Sequence, residues 1–201
     1  MKPTSNLHWY IYAAEGYHPA GVNQNPYLEM EDKTYDDEIY TDVTTGIRWY
    51  TDNIKLTASL FYLEHDGHIF EASEQLDPQN PNAFAFFKQN ADSGYEYGTE
   101  TSGQFQFSDK LSMGLSLGYM SSEIHFGDHD DHGGHDGHAE HGQKAHAPNW
   151  NYSLSFNYNF TEDSSLMVEI AGKDAFIFDS MHDEYASEPY HLLNAYYSHS
   201  F

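Results

Sequence analysis

The stretch Trp150-Asn-Tyr-Ser-Leu-Ser-Phe-Asn-Tyr-Asn-Phe160 decides the fold class. Trp150, Tyr152, Leu154, Phe156, Tyr158 and Phe160 fall on one side of an extended chain, and Asn151, Ser153, Ser155, Asn157 and Asn159 on the other. Unbroken period-2 alternation is the mark of a strand with one face against an apolar medium, because an amphipathic helix repeats at 3.6. Leu111–Tyr119 repeats the pattern, with Leu111, Met113, Leu115, Leu117 and Tyr119 opposite Ser112, Gly114, Ser116 and Gly118. Between Tyr95 and Phe107 the polar face carries Glu96, Glu100, Gln104 and Gln106. Weaker versions at Leu7–Tyr12, Tyr40–Tyr50, Ile54–Leu63, Leu166–Ala171 and Tyr190–Phe201 raise the expectation to about eight strands. Most lie near the ~9–11 residues that a tilted membrane strand needs.

Composition narrows the medium. The chain is 201 residues long and 16% aromatic, with 17 Tyr and 13 Phe, yet its mean hydropathy is −0.72. A disordered acidic chain would be poor in aromatics, whereas a barrel with a lipid face and a wet lumen is both polar on average and aromatic-rich. There is no cysteine, which removes disulfides, thiolate metal sites and cysteine nucleophiles. Thirty-two acidic residues against 8 basic ones give a net charge of −24, so no nucleic-acid partner is expected.

The connections carry the topology. Thr51-Asp-Asn53, Ser108-Asp-Lys110 and Thr161-Glu-Asp-Ser164 are short and turn-like. Between them lie long links at roughly 14–39, 66–93, 121–148 and 174–189. Strict short–long alternation is the outer-membrane arrangement of short periplasmic turns and long extracellular loops. Trp49, Tyr50, Phe107 and Phe160 gather at the short-turn end, where an interfacial aromatic girdle sits. The expected fold is therefore all-β: an antiparallel transmembrane barrel segment of about eight strands in contact with outer-membrane lipid.

Several stretches resemble the C-terminal part of the barrel of TonB-dependent outer-membrane receptors. They are Tyr10–Asn23, Asn90–Glu100, Lys144–Pro148 leading into Trp150, Gly172–Phe176, Ser187–Tyr190 and Leu192-Leu-Asn-Ala195, in family order across nearly the whole chain. The resemblance implies a Gram-negative outer-membrane location and TonB-energised uptake of a scarce nutrient, a metal ion or metal chelate, with iron–siderophore complexes the commonest cargo. It also implies a plug domain, through which the TonB complex acts, and further strands. Neither is visible here, so residues 1–201 read as a partial receptor barrel domain with no enzymatic activity. The alternative reading is a complete small eight-stranded barrel with a structural or adhesive role.

The strongest chemical signal is the histidine-rich loop within 121–148. His125, His129, His132, His135, His138 and His141 recur every three to four residues, interleaved with Asp128 and other acids and followed by His146. Imidazole suits zinc and other divalent transition metals, so His125, Asp128, His129, His132, His135, His138 and His141 are the candidate metal ligands. No cofactor is required, and any Zn²⁺ held there is expected to be transient cargo. If the short turns are periplasmic, 12 of the 14 histidines fall at the outer mouth. Glu29, Glu31, Asp32, Asp36, Asp37 and Glu38 crowd the first long loop, and a negative mouth concentrates cations. No catalytic motif emerges. Glu96, Glu100 and Glu169 are expected to line the lumen wall.

Overall fold

The computed structural model describes residues 6–77, 79–80, 82–126, 141–180 and 182–201. Eight long strands form its wall: β1 (Leu7–His18), β2 (Glu38–Tyr50), β3 (Ile54–Asp66), β4 (Ser93–Gln106), β5 (Leu111–His125), β6 (Trp150–Asn159), β7 (Ser164–Lys173) and β8 (Tyr190–His199). They pair in sequence order, every pair antiparallel, so each strand neighbours the next along the chain. Among the described residues β1 and β8 do not pair with each other, so the wall is an open sheet and not a closed eight-strand ring.

The register places the side chains. Cross-strand partners share a face, and one row reads Leu7, Trp49, Leu56, Gly103, Leu115, Leu154, Ile170, Leu193. The adjacent row reads His8, Arg48, Thr57, Ser102, Ser116, Ser153, Ala171, Leu192. The first faces outward. The second is the lumen face, where Lys55, Thr57, Ser102, Gln104, Ser116, Ser153 and Ser155 line a concave space of about 400 Å³. Glu96, Glu100 and Glu169 all fall on lumen rows, paired across with Ser122, Gly118 and Ser155 respectively.

The outward face also measures the apolar band. On β3 it runs Ile54, Leu56, Ala58, Leu60, Tyr62 and then changes to Glu64 and Asp66. From Ile54 to Tyr62, a ~3.4 Å rise and a ~40° tilt give roughly 21 Å of height, close to the ~25 Å lipid-facing band of outer-membrane barrels. The row that begins the aqueous zone is Glu15, Thr41, Glu64, Tyr95, Glu123. Everything above that row stands clear of the membrane.

Strands extend further into the long links than the alternation predicts. β1 continues through Ala13–His18 and β5 through Met120–His125. Above the band both faces are wet, so the backbone ladder persists after the side-chain pattern has lost its reason to alternate. Three of the four long links also carry ribbons among the described residues. Residues Ile69–Gln75 and Phe84–Asn90 form a ribbon, as do Ile177–Asp179 with His182–Ala186 and Gly21–Val22 with Thr34–Tyr35. The buried apolar cluster found among the described residues is in these loops: Leu28, Ala72, Ala85 and Phe87, with Phe70 against it. The wall has no comparable cluster because its apolar face turns outward.

Three lumen-row glycines lie directly opposite aromatic rings: Gly16 opposite Tyr40, Gly46 opposite Tyr10, and Gly98 opposite Phe61. The ring covers the backbone that a glycine leaves bare. At Gly46 an added Cβ would meet the Tyr10 hydroxyl at 2.5 Å and the Ala58 carbonyl oxygen at 2.6 Å. Arg48 also stacks over the Tyr10 ring, 5.1 Å from its centroid.

Two predictions follow from this geometry. Gly46→Val forces Tyr10 off its seat and should destabilise the refolded receptor by about 1–3 kcal/mol, read as a lower denaturant midpoint in detergent or lipid. A cysteine at Asn80, on the tip of the 69–90 ribbon, should react with a membrane-impermeant maleimide on intact cells, and one at Asp109, in a short turn, should not. Labelling of Asp109→Cys alone would invert the topology.

Candidate functional site

Long strands end at the mouth with polar groups that have no lipid to face and little water to reach. Glu38, Thr44, His65, His68 and Glu96 are the buried polar residues among those described, and four of the five form one cluster. Glu38 opens β2, His65 nearly closes β3, and Glu96 stands near the upper end of β4. His65 falls on a lumen row opposite Gly94 and Tyr40. Gly67 then takes φ 67°, a left-handed turn that glycine permits, and His68 follows it into the cluster.

The turn is tied down on every side. Gly67 N–H donates to Asp92 O at 2.9 Å, and Ala91 N–H donates to His68 O at 2.8 Å. The Asn90 amide donates to Gly67 O at 2.8 Å and Asp36 O at 3.2 Å, while its oxygen accepts from Asp36 N–H at 2.7 Å. Asn23 does the same one level up, donating to Asp32 O and Lys88 O and accepting from Lys88 N–H. Two asparagines thus staple the first long loop to the 69–90 ribbon.

Inside this frame, Oε1 of Glu38 lies 2.6 Å from His65 Nδ1 and 2.8 Å from His68 Nδ1. The two imidazoles meet edge to face with centroids 4.9 Å apart. His65 Nε2 lies 3.2 Å from Glu96 Oε1, which also accepts from Lys144 Nζ at 2.5 Å. The Glu38, His65 and His68 ligand atoms all lie within 4.8 Å of one another, a spacing that can hold a metal ion. Beside them a cleft of about 340 Å³ opens, lined by His68, Phe70, Phe86, Lys144, His146 and Phe178 among others.

The cluster stands above the Glu64–Tyr95–Glu123 row, clear of the membrane. Burial opposes ionisation of Glu38, but hydrogen bonds from His68 and His65 hold its carboxyl below its ordinary value. Burial likewise pulls His65 down, and the Glu96 and Glu38 carboxylates outweigh it, so His65 is raised. His68 is lowered by burial, with Glu38 opposing and the charges of His65 and Lys144 adding to the shift.

Of the candidate ligands in the histidine-rich loop, Asp128, His129, His132, His135 and His138 lie outside the described residues. His125 and His141 are placed, and the backbone sets them directly opposite one another: His141–Gly142 forms a short strand on the upper end of β5, pairing with His125 and Ile124. The loop is therefore closed at its base by its first and last candidate residues. His125 belongs to the outward row with Ser93 and Asp66, with Nε2 3.6 Å from Glu123, so it does not join the lumen-facing cluster. His146, at φ 61°, packs between Phe176 and Phe178.

Sequence reasoning grouped His65, His68 and Glu38 only as residues near the mouth. The available signal was the His65-x-Gly67-His68 spacing at a strand end, combined with the lumen parity of residue 65. Convergence of Glu38 and Glu96 on it required the three-strand register.

The pKa directions fix a pH response. His65 favours folding below the ordinary imidazole value of 6.5, and that contribution is lost as pH rises through its raised pKa. His68 works in reverse: stability is lost as pH falls through 6.5 towards its lowered pKa. Glu38 contributes above its ordinary 4.5, and that is lost as pH falls through its lowered pKa. With chelator present, NMR titration of the receptor should show His65 and His68 midpoints on opposite sides of 6.5, and Glu38→Gln should lower both; coincident midpoints at 6.5 would refute the arrangement.

A protein-family model described as TonB dependent receptor-like, beta-barrel, matches residues 2–201. Solved structures share the fold. The ferric yersiniabactin uptake receptor FyuA from Yersinia pestis aligns at TM-score 0.69 and 20% identity, covering 96% of this chain and 27% of that one. The siderophore receptor PiuA from Acinetobacter baumannii aligns at TM-score 0.70 and 19% identity, with coverages of 96% and 27%. The copper transporter OprC aligns at 0.69 and 12% identity, with coverages of 96% and 29%. The chain thus spans just over a quarter of the length of these structures. A search of curated proteins returned no match.

Proposed function

The chain belongs to the TonB-dependent receptor-like β-barrel family, and from that premise we propose that it forms part of the wall and mouth of a receptor importing a scarce metal, as an ion or a chelate. Its place is the outer membrane of a Gram-negative bacterium, and members of its family are transporters, not enzymes. The plug and the remaining strands come from the rest of the receptor, and energy reaches the site from the TonB complex through that plug. Likeness to receptors for ferric yersiniabactin and siderophores, and to a copper transporter, supports metal cargo as the class.

The observation that carries the finer reading is the chemistry of the mouth. The chain has one arginine, Arg48, and a net charge of −24. Such a surface repels an anionic chelate and draws in cations. The histidine-rich loop then supplies many imidazoles for a divalent transition metal, zinc first, in place of a single rigid geometry. Closure of the loop at His125 and His141 reduces the chain entropy that binding must overcome. Outward capture by the loop and inward transfer along the acidic lumen wall follow.

Transport assays decide it. In the full receptor, His→Asn changes at 129, 132, 135, 138 and 141 together should lower uptake of radioactive zinc several-fold at limiting concentration. Loss should also occur in the wild type on acidification from about pH 7 to pH 5, because a protonated imidazole has no lone pair for a metal. Unchanged zinc uptake, with ferric-chelate uptake intact in both proteins, would return the cargo to an iron chelate.

A further inference from the structure

At the mouth, Glu38 Oε1 sits between His65 Nδ1 at 2.6 Å and His68 Nδ1 at 2.8 Å, all three residues being under a tenth exposed. We propose that Glu38, His65 and His68 form a discrete site for a single divalent transition-metal ion, distinct from the histidine-rich loop and positioned as a buried station behind it.

Three features point to an ion. The donor set, two imidazoles and a carboxylate, is that of three-ligand zinc sites that keep a fourth position open. With metal–ligand bonds of ~2.0–2.1 Å and tetrahedral angles, ligand atoms stand about 3.3 Å apart, so an ion requires the Glu38–imidazole separations of 2.6 and 2.8 Å to open by about 0.5–0.7 Å. Outer support is already in place: His65 presents Nε2 to Glu96, and Lys144 pairs with the same Glu96 oxygen. A neutral His65 that donates Nε2–H to Glu96 turns the Nδ1 lone pair towards Glu38, the arrangement in which a carboxylate orients a metal-binding imidazole.

The third feature is access. His68 and Lys144 line the cleft of about 340 Å³, so open space lies beside one of the three ligands. Lys144 follows His141 by three residues, and its N–H donates to Ser122 Oγ at 3.0 Å, anchoring the end of the loop against β5. The binding itself is independent of cargo; its role as a station rests on the import reading above.

Cobalt(II) is the probe, because four-coordinate cobalt absorbs strongly in the visible and reports its geometry. In the full-length receptor whose loop histidines at 129, 132, 135, 138 and 141 are changed to Asn, one Co²⁺ per chain should still bind with a four-coordinate spectrum, and Zn²⁺ should displace it. His68→Asn and Glu38→Gln should each abolish the band, while Glu96→Gln should weaken affinity about 10–100-fold and keep it. Heat-modifiable migration on unheated gels checks that each variant remains folded. No band in the loop-silenced receptor, or an undiminished band in folded His68→Asn, overturns the site. A band that survives while zinc import is unaffected by every change leaves the site standing and removes the import reading.

Discussion

The demand that lipid places on a polypeptide organises this molecule. Hydrocarbon offers no partner to an amide, so every backbone N–H and C=O within it must be satisfied by the chain. Antiparallel pairing of consecutive strands does this with the shortest connections, and the period-2 geometry of a strand then divides each segment into one side for lipid and one for the lumen. The outward rows, from Leu7 to Leu193 and their neighbours, carry aliphatic and aromatic side chains; the lumen rows carry Thr57, Ser102, Ser116 and Ser153. With its apolar atoms turned outward, the wall has no interior to pack. Its stability comes from the ladders and from lipid.

Above the band that constraint lapses and another takes over. The loop ribbons must form their own interior, and they do so around Leu28, Ala72, Ala85 and Phe87. Asn23 and Asn90 act as backbone mimics, each with an amide that both donates and accepts across loops. The result is a structured rim. A rim of this kind can bury Glu38, His65, His68 and Glu96, because each polar atom brought out of water finds a partner of opposite character. Lys144 provides the cation that balances the second carboxylate.

Charge and burial therefore act in sequence along the axis. On the proposed reading, an acidic, histidine-rich exterior collects cations weakly and from many directions, since its candidate ligands are numerous. Burial suits selective holding, since two imidazoles and one carboxylate are fixed by a glycine turn and two strands, with Glu96 of a third strand behind His65. The lumen below is lined largely by serine, threonine and glutamine, with Glu100 and Glu169 on the same face. On the proposed reading, weak capture outside and a buried station at the mouth lie in series.

Much of this was legible in the residues. The alternation at 150–160, 111–119, 95–107 and 166–171 pointed to strands, their lipid-facing parity and the lumen placement of Glu96, Glu100 and Glu169, because strand periodicity is a local property enforced residue by residue. Short turns at 51–53 and 108–110 likewise determined the up-and-down order. Strand ends escaped the sequence, since above the membrane both faces meet water and alternation carries no information. So did the buried site. Glu38, His65 and Glu96 stand on three adjacent strands, 27 and 31 positions apart in the chain, and which of the many carboxylates and imidazoles meet depends on ladder register and on a left-handed Gly67. Those are properties of pairing between distant segments, and only the tertiary structure fixes them.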